Sequence, residues 1–243
     1  MNADTNMDTA AATAPQPPQQ AGSSAMIITL SLIAALSGFL VVFVYQTTKP
    51  IIDENKRMAI EQAVLKVIPD STAYQPMVLD NGKLVKPGET EGGITIYVAY
   101  DKNKDFIGVA ADGQAQGYQD KIQLIYGYKP SCECITGKKI IKLAETPGLG
   151  DKIITNKDFN ANFDALSAKI HKSGTKLAHK IEAVNHGKKN FPWQIDSISG
   201  ATISSVAVGK AINDSAQVIL PQVNQFLAKL KEERYEPAII QEQ

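Results

Sequence analysis

The sequence predicts an α+β fold: a single N-terminal transmembrane helix, then one domain with an antiparallel-rich sheet and flanking helices. Three observations predict it. Residues 26–45 read MIITLSLIAALSGFLVVFVY, 20 consecutive residues without a charge. Between residues 77 and 143, short alternating apolar segments follow one another with turn residues between them, the pattern of strands in series rather than of strands alternating with helices. Helical spacing returns only in the last third of the chain.

The first 25 residues are rich in Ala, Thr, Pro and Gln, as in Pro15-Gln16-Pro17-Pro18-Gln19-Gln20. Such a stretch has little to bury and reads as a disordered tail over 1–25. Residues 26–46 read as an uncleaved anchor in the lipid bilayer. At about 1.5 Å rise per residue the apolar run spans the hydrocarbon. It is too long for a secretory leader and lacks a basic stretch before it and a small-residue cleavage site after it. Residues 47–243 form the working domain. Thr47-Thr48-Lys49-Pro50 reads as a helix start, with a capping hydroxyl and an early proline. Asp53 and Glu54 favour the first turn, and Ile60, Val64 and Val67 repeat at helical spacing up to Pro69. Asn81-Gly82, between Met77-Val78-Leu79 and Leu84-Val85, is the strongest short hairpin signal, because both residues tolerate positive φ. Ile94–Tyr100, Phe106–Ala110, Lys121–Tyr126 and Lys138–Leu143 read as strands. Asp158–Lys172 reads as a helix with Phe159, Phe163, Leu166 and Ile170 on one face, and another begins near Thr202 and is interrupted before Pro221.

Charge and composition exclude several functions. The 25 Lys and Arg balance 25 Asp and Glu, so there is no basic stripe and nucleic acid is not expected as a partner. The basic residues all lie at or after Lys49, the first 48 residues carrying only Asp4 and Asp8. Lys49, Lys56 and Arg57 follow the apolar span and none precedes it, which by the positive-inside rule places the large domain in the cytoplasm. His171, His179 and His186 show no metal-ligand spacing and read as solvated, so no metal site is expected. Cys132-Glu133-Cys134 reads as a loop feature without catalytic duty. A bridge across one intervening residue is geometrically demanding, while free thiols would be a liability in an oxidising compartment. Gly148-Leu149-Gly150-Asp151-Lys152-Ile153 begins like a dinucleotide fingerprint but has Ile153 where the third glycine belongs, so a Rossmann site is rejected.

Two loops remain as candidate binding elements. In Glu145-Thr146-Pro147-Gly148-Leu149-Gly150, Pro-Gly favours a type II turn with positive φ at Gly148, and Gly150 lets the backbone approach something closely. A tight connection alone explains the same residues. In Asp196-Ser197-Ile198-Ser199-Gly200-Ala201-Thr202-Ile203-Ser204-Ser205, small hydroxyl residues gather at a helix start. A phosphate would be well placed against Gly200, Ala201 and the first turn, where backbone N–H groups are unpaired. Simple N-capping by Ser199 or Thr202 is the reading that the residues by themselves favour.

Taken together, E-T-P-G-L-G-D-K at Glu145–Lys152 and D-x-x-S-G-A-T at Asp196–Thr202 resemble the FMN-binding domain shared by the G subunit of Rnf complexes and the C subunit of the sodium-translocating NADH:quinone oxidoreductase. The resemblance extends over the anchor, Gly117-Tyr118, Gly137 and the closing helix; Cys132-Glu133-Cys134 belongs to neither pattern. It implies that FMN is joined covalently, by a phosphoester, to Thr202, and that a separate flavin transferase using FAD makes the bond, since an unaided threonine hydroxyl is a poor nucleophile. Ser199, Gly200, Ala201, Ser204 and Ser205 are then the expected phosphate-side contacts. Thr146, Gly148, Leu149 and Gly150 are the expected contacts from the other loop, while Asp196 shapes its turn. Asp151-Lys152-Ile153 looks more like the Rnf protein than its quinone-reductase counterpart.

The implied role is electron transfer within a complex that links ferredoxin and NAD to Na⁺ or H⁺ movement. Other membrane and peripheral Rnf subunits are the implied partners, and no catalytic residue is assigned to this chain alone. The resemblance also implies a bacterial or archaeal cell membrane, crossed once, with the flavin domain on the extracytoplasmic side, against the flanking charges. A quinone-reductase-type subunit is the alternative within the family. A membrane-tethered binding module whose S-G-A-T is only a helix cap is the alternative outside it.

Overall fold

The computed structural model describes residues 23–232, so most of the tail assigned to 1–25 lies outside the described residues. The chain divides into two units, Met1–Asp53 and Glu54–Gln243. The described part of the first unit is helical and lies within α1 (Ser23–Val67). Among the described residues α1 is the one helix long and apolar enough to cross a bilayer, and none of that stretch is buried.

The helix start expected at Thr47–Pro50 is not there. α1 runs through Pro50. The Thr47 and Thr48 hydroxyls donate back to the carbonyls of Phe43 and Val44, at 2.7 and 2.8 Å. Threonine hydroxyls serve a continuing helix this way as readily as they cap a new one.

The second unit is built on a seven-stranded sheet of order β2-β1-β3-β4-β5-β6-β7, antiparallel throughout. Its strands are β1 (Ala73–Asp80), β2 (Lys83–Val85), β3 (Ile94–Tyr100), β4 (Phe106–Gln116), β5 (Lys121–Lys129), β6 (Cys134–Lys142) and β7 (Leu166–Ser167). The β1–β2 hairpin turns at Asn81 and Gly82, with φ of 47° and 72°, as the Asn-Gly pair predicts. β4, β5 and β6 run beyond the expected boundaries, to Gln116, to Lys129 and back to Cys134. Register shifts within the β5–β6 pair break the alternation that marks a strand in sequence.

The sheet is covered on both faces. On one side, the end of α1 buries Ala63, Val64 and Val67 with Ile68 against Ala99, Ala110 and Ile125. Gly127 and Gly137 allow this approach, because a side chain at either would meet the Val67 backbone. The Thr136 hydroxyl donates to the Val67 carbonyl at 2.8 Å. On the other side lies the main core, where α4 (Thr202–Gln225) presents Ala207, Val208, Ala211 and Ile212 to Val109, Ala111 and Tyr126. A parallel pair, β8 (Glu182–Val184) and β9 (Gln194–Asp196), leads into α4.

Two helical expectations are corrected. Asp158–Lys172 is not one helix: after α2 (Lys152–Thr155), α3 covers only Lys157–Ala161. The Asn162 side chain donates to the Asp158 and Phe159 carbonyls and ends it. Leu166 then joins the sheet opposite Ile135, and Ile170 bridges to Leu177. The apolar spacing reflects three separate burials rather than one helical face. α4 is also not interrupted before Pro221. It continues to Gln225 with Pro221 buried beside Ile219, Leu220 and Val223, so packing outweighs the lost N–H. A short α5 (Leu227–Glu232) follows.

Cys132 and Cys134 form a disulfide at the β5–β6 turn, with Cα atoms 5.1 Å apart. Glu133, between them, sits at φ 49°. The histidines are not simply solvated. His179 stacks on Trp193 at 3.7 Å between ring centroids, and His186 Nδ1 lies 3.2 Å from Asp196 Oδ2.

Candidate functional site

Each loop owes its local form to its own sequence. β6 ends at Lys142, and the chain turns through Thr146-Pro147-Gly148-Leu149, with the Leu149 N–H on the Thr146 carbonyl at 3.2 Å. Gly148 takes φ 77°, as a type II turn requires. After β9, Asp196 accepts the Gly187 N–H at 2.7 Å and stands beside His186. This holds the start of the second loop. Gly200, at φ 82°, swings the chain into α4.

The helix start is not capped by a side chain. Ala201 occupies the N-cap position without a side-chain hydrogen bond, and Thr202 is the first helical residue. Neither Ser199 nor Thr202 therefore acts as the cap. Ser205 reinforces the turn instead: its hydroxyl donates to the Ala201 carbonyl at 2.9 Å and accepts the Ile198 N–H at 3.1 Å. The first N–H groups of α4 are left for an external acceptor, and the helix dipole favours a negative one.

The fold brings the two loops together around a cleft of about 460 Å³. Tyr118, Glu145, Thr146, Leu149, Gly150, Gly200, Ala201, Thr202, Ile203 and Ser204 line it. At its base Glu145, only 8 % exposed, ties three chain segments together. One carboxylate oxygen accepts the Gln119 N–H at 3.2 Å and the other the Ser204 hydroxyl. Gln119 Nε2 donates to the Thr146 hydroxyl at 2.8 Å. Gly150 closes this arrangement, since a side chain there would collide with Glu145 and with Ser204 Oγ. Above the polar base, Tyr118, Leu149 and Ile203 are exposed apolar side chains, an arrangement suited to a flat, largely apolar ring.

Of the residues singled out in the sequence, Thr202, Gly200, Ala201, Ser204, Thr146, Leu149 and Gly150 line this cleft. Ser204 and Ser205 are buried and already hydrogen-bonded within the protein. Ser199 faces a neighbouring cavity with Lys152, Asp158 and His186, and Gly148 shapes the turn without lining the cleft. Gln119 was not singled out, and Glu145, Tyr118 and Ile203 stood in the quoted segments without a role of their own. The signal for Glu145 was a carboxylate placed directly between an apolar strand and a Pro-Gly turn, where a solvated residue has no reason to be fixed.

Behind the Glu145–Ile153 segment, the Lys138 ammonium donates to the Ile153 carbonyl and sits 5.1 and 5.3 Å from the ring centres of Phe159 and Phe163. Burial pushes its pKa down to about 7, with Lys139 adding to the fall.

Residues 117–217, which contain both loops, match the FMN-binding domain family. The G subunit of the ion-translocating oxidoreductase complex of Escherichia coli O157:H7 is 30% identical over 205 residues, 83% of this chain and 94% of the relative. The chain belongs to the family of these G subunits. The protein of the same name from Methanosarcina acetivorans is 28% identical over 201 residues, 81% of this chain and 94% of that one. Among solved structures, Shewanella oneidensis NqrC aligns with a TM-score of 0.57 at 16% identity, covering 72% of this chain and 99% of its own. At that identity the likeness shows a shared fold.

Proposed function

We propose that this chain is the membrane-anchored electron-transfer subunit of an Rnf-type ion-translocating complex, and that it holds FMN through a phosphoester on the Thr202 hydroxyl. The observation that carries this is the position of Thr202. It is the exposed first residue of a long helix with no side-chain cap, and it faces the Glu145–Gly150 loop across a cleft inside the segment that matches the FMN-binding domain family. Unpaired N–H groups of the first turn would donate hydrogen bonds to the remaining phosphate oxygens. Tyr118, Leu149 and Ile203 would flank the ring, and Thr146 and Gly150 would border it. When bound, FMN supplies one- and two-electron redox chemistry. The protein's part is to fix the position and surroundings of the group.

Residues 26–45 would anchor the chain in the bilayer. The Cys132–Cys134 bridge supports an extracytoplasmic domain, because disulfides persist in oxidising compartments. That weighs against the flanking positive charges. Partners would be the other subunits of the complex and, for maturation, a flavin transferase drawing on FAD. Against the rival reading, a tethered module whose S-G-A-T is only a cap, stands a helix start that no side chain caps.

The test is co-expression with a flavin transferase, followed by intact mass and ultraviolet-excited gel fluorescence of wild type and Thr202→Val. The expected result is a mass increase of one FMN in wild type alone. The two proteins should unfold within about 0.5 kcal/mol of each other, since Thr202 is exposed and caps nothing. Absence of an adduct beside an active transferase would overturn the proposal.

A further inference from the structure

The Cys132–Cys134 bridge has no part in the cleft. It closes a ring across a single intervening residue, so it removes little freedom from the unfolded chain; a bridge stabilises more the longer the loop it closes. The hairpin it sits on is already closed without it. Lys129 and Cys134 are ladder partners, the Glu133 N–H reaches the Pro130 carbonyl at 3.3 Å, and the Glu133 carbonyl accepts the Ala168 N–H at 2.9 Å. The bridge also coincides with a backbone position that a non-glycine residue adopts at a cost, Glu133 at φ 49°. The two residues are unequally exposed: Cys132 is exposed, while Cys134 is only 6 % exposed.

We propose that Cys132–Cys134 is a thiol–disulfide exchange site, with Cys132 as the residue attacked and low-molecular-weight thiols or an external dithiol as the reactant class. An incoming thiolate bonds to Cys132 Sγ and the S–S bond breaks, with Cys134 leaving as thiolate and taking up a proton. A second thiolate then attacks its partner sulfur in the mixed disulfide and releases Cys132. Two thiols are oxidised to one disulfide, and the protein gains two electrons and two protons. Exposed bridges under backbone strain are the ones that exchange readily, in contrast to buried structural bridges. This inference is independent of flavin attachment.

The experiment uses the full chain in detergent with glutathione as the probe. Reduced glutathione at millimolar concentration, followed by maleimide trapping and intact mass, should add a maleimide at Cys132 of the folded wild type, and a second at Cys134 once the protein is denatured. Circular dichroism should be unchanged and the melting midpoint within about 2 °C of the oxidised form. With oxidised glutathione, Cys134→Ser should form a glutathione adduct at Cys132 at least ~10-fold faster than Cys132→Ser forms one at the buried Cys134. Labelling of wild type only after denaturation, or a large loss of melting temperature on reduction, would overturn the proposal and make the bridge structural. Equal adduct rates in the two variants would overturn the assignment of Cys132 as the attacked residue.

Discussion

The Ser204 hydroxyl donates to the Glu145 carboxylate across 59 residues of sequence, and that one contact joins the two loops that line the cleft. Glu145 is nearly buried and Ser204 more so, so neither can turn to water if the other is lost. Its second oxygen, held by the Gln119 N–H, brings in the segment after β4 as well. The carboxylate therefore acts as the joint of the site.

Glu145→Ala should be destabilising by about 1–3 kcal/mol, because it strands the buried Ser204 hydroxyl and the Gln119 N–H. Glu145→Gln should cost less, since it keeps the shape and one acceptor. Urea unfolding monitored by circular dichroism checks both. With FMN in the proposed position, Glu145→Gln removes a nearby negative charge. It should raise the flavin reduction potential relative to wild type in a redox titration.

Gly150→Ala should lower stability by about 1–3 kcal/mol. The added methyl would lie 2.7 Å from Glu145 Cβ and from Ser204 Oγ, and both neighbours are fixed by burial. Thermal melting checks it. The paired variant Gly150→Ala, Ser204→Ala should recover part of the loss if the clash with the hydroxyl is its cause.

Lys138 should give the protein a pH-dependent stability. Its pKa is near 7 in the folded state, against an ordinary 10.5, so between those values the unfolded chain binds more protons. Stability should then rise with pH from about 7 towards 10.5, by at most ~1.4 kcal/mol per pH unit from this group, and its contribution should be flat below 7. Lys138→Met should remove that slope and raise stability most below pH 7. Denaturant unfolding at a series of pH values checks it.

Much of the local structure was legible because its cause is local. Asn81-Gly82 made its hairpin and Pro147-Gly148 its turn, each from the conformational preferences of adjacent residues. The two loops were legible as candidate binding elements for the same reason. Asp158–Lys172 was misread because Phe159, Phe163, Leu166 and Ile170 share a spacing but are buried by different neighbours: a short helix, a sheet edge and a bridge to Leu177. Ser204 and Ser205 looked like free hydroxyls, yet the fold spends both on internal hydrogen bonds.

The sequence by itself determined the apolar span, the α+β character and the identity of the residues at the two turns, because a charge-free run, strand alternation and Pro-Gly chemistry need no distant partner. Only the tertiary structure decided that Leu166 leaves the expected helix to pair with Ile135 in the sheet, that α4 passes a buried Pro221, and that Glu145 sits at the base of the cleft, bonded to Ser204. Each of those outcomes depends on which surfaces the sheet buries and which polar groups burial leaves in need of a partner. Such contacts form between residues tens of positions apart, and no window of neighbouring residues contains both sides of them.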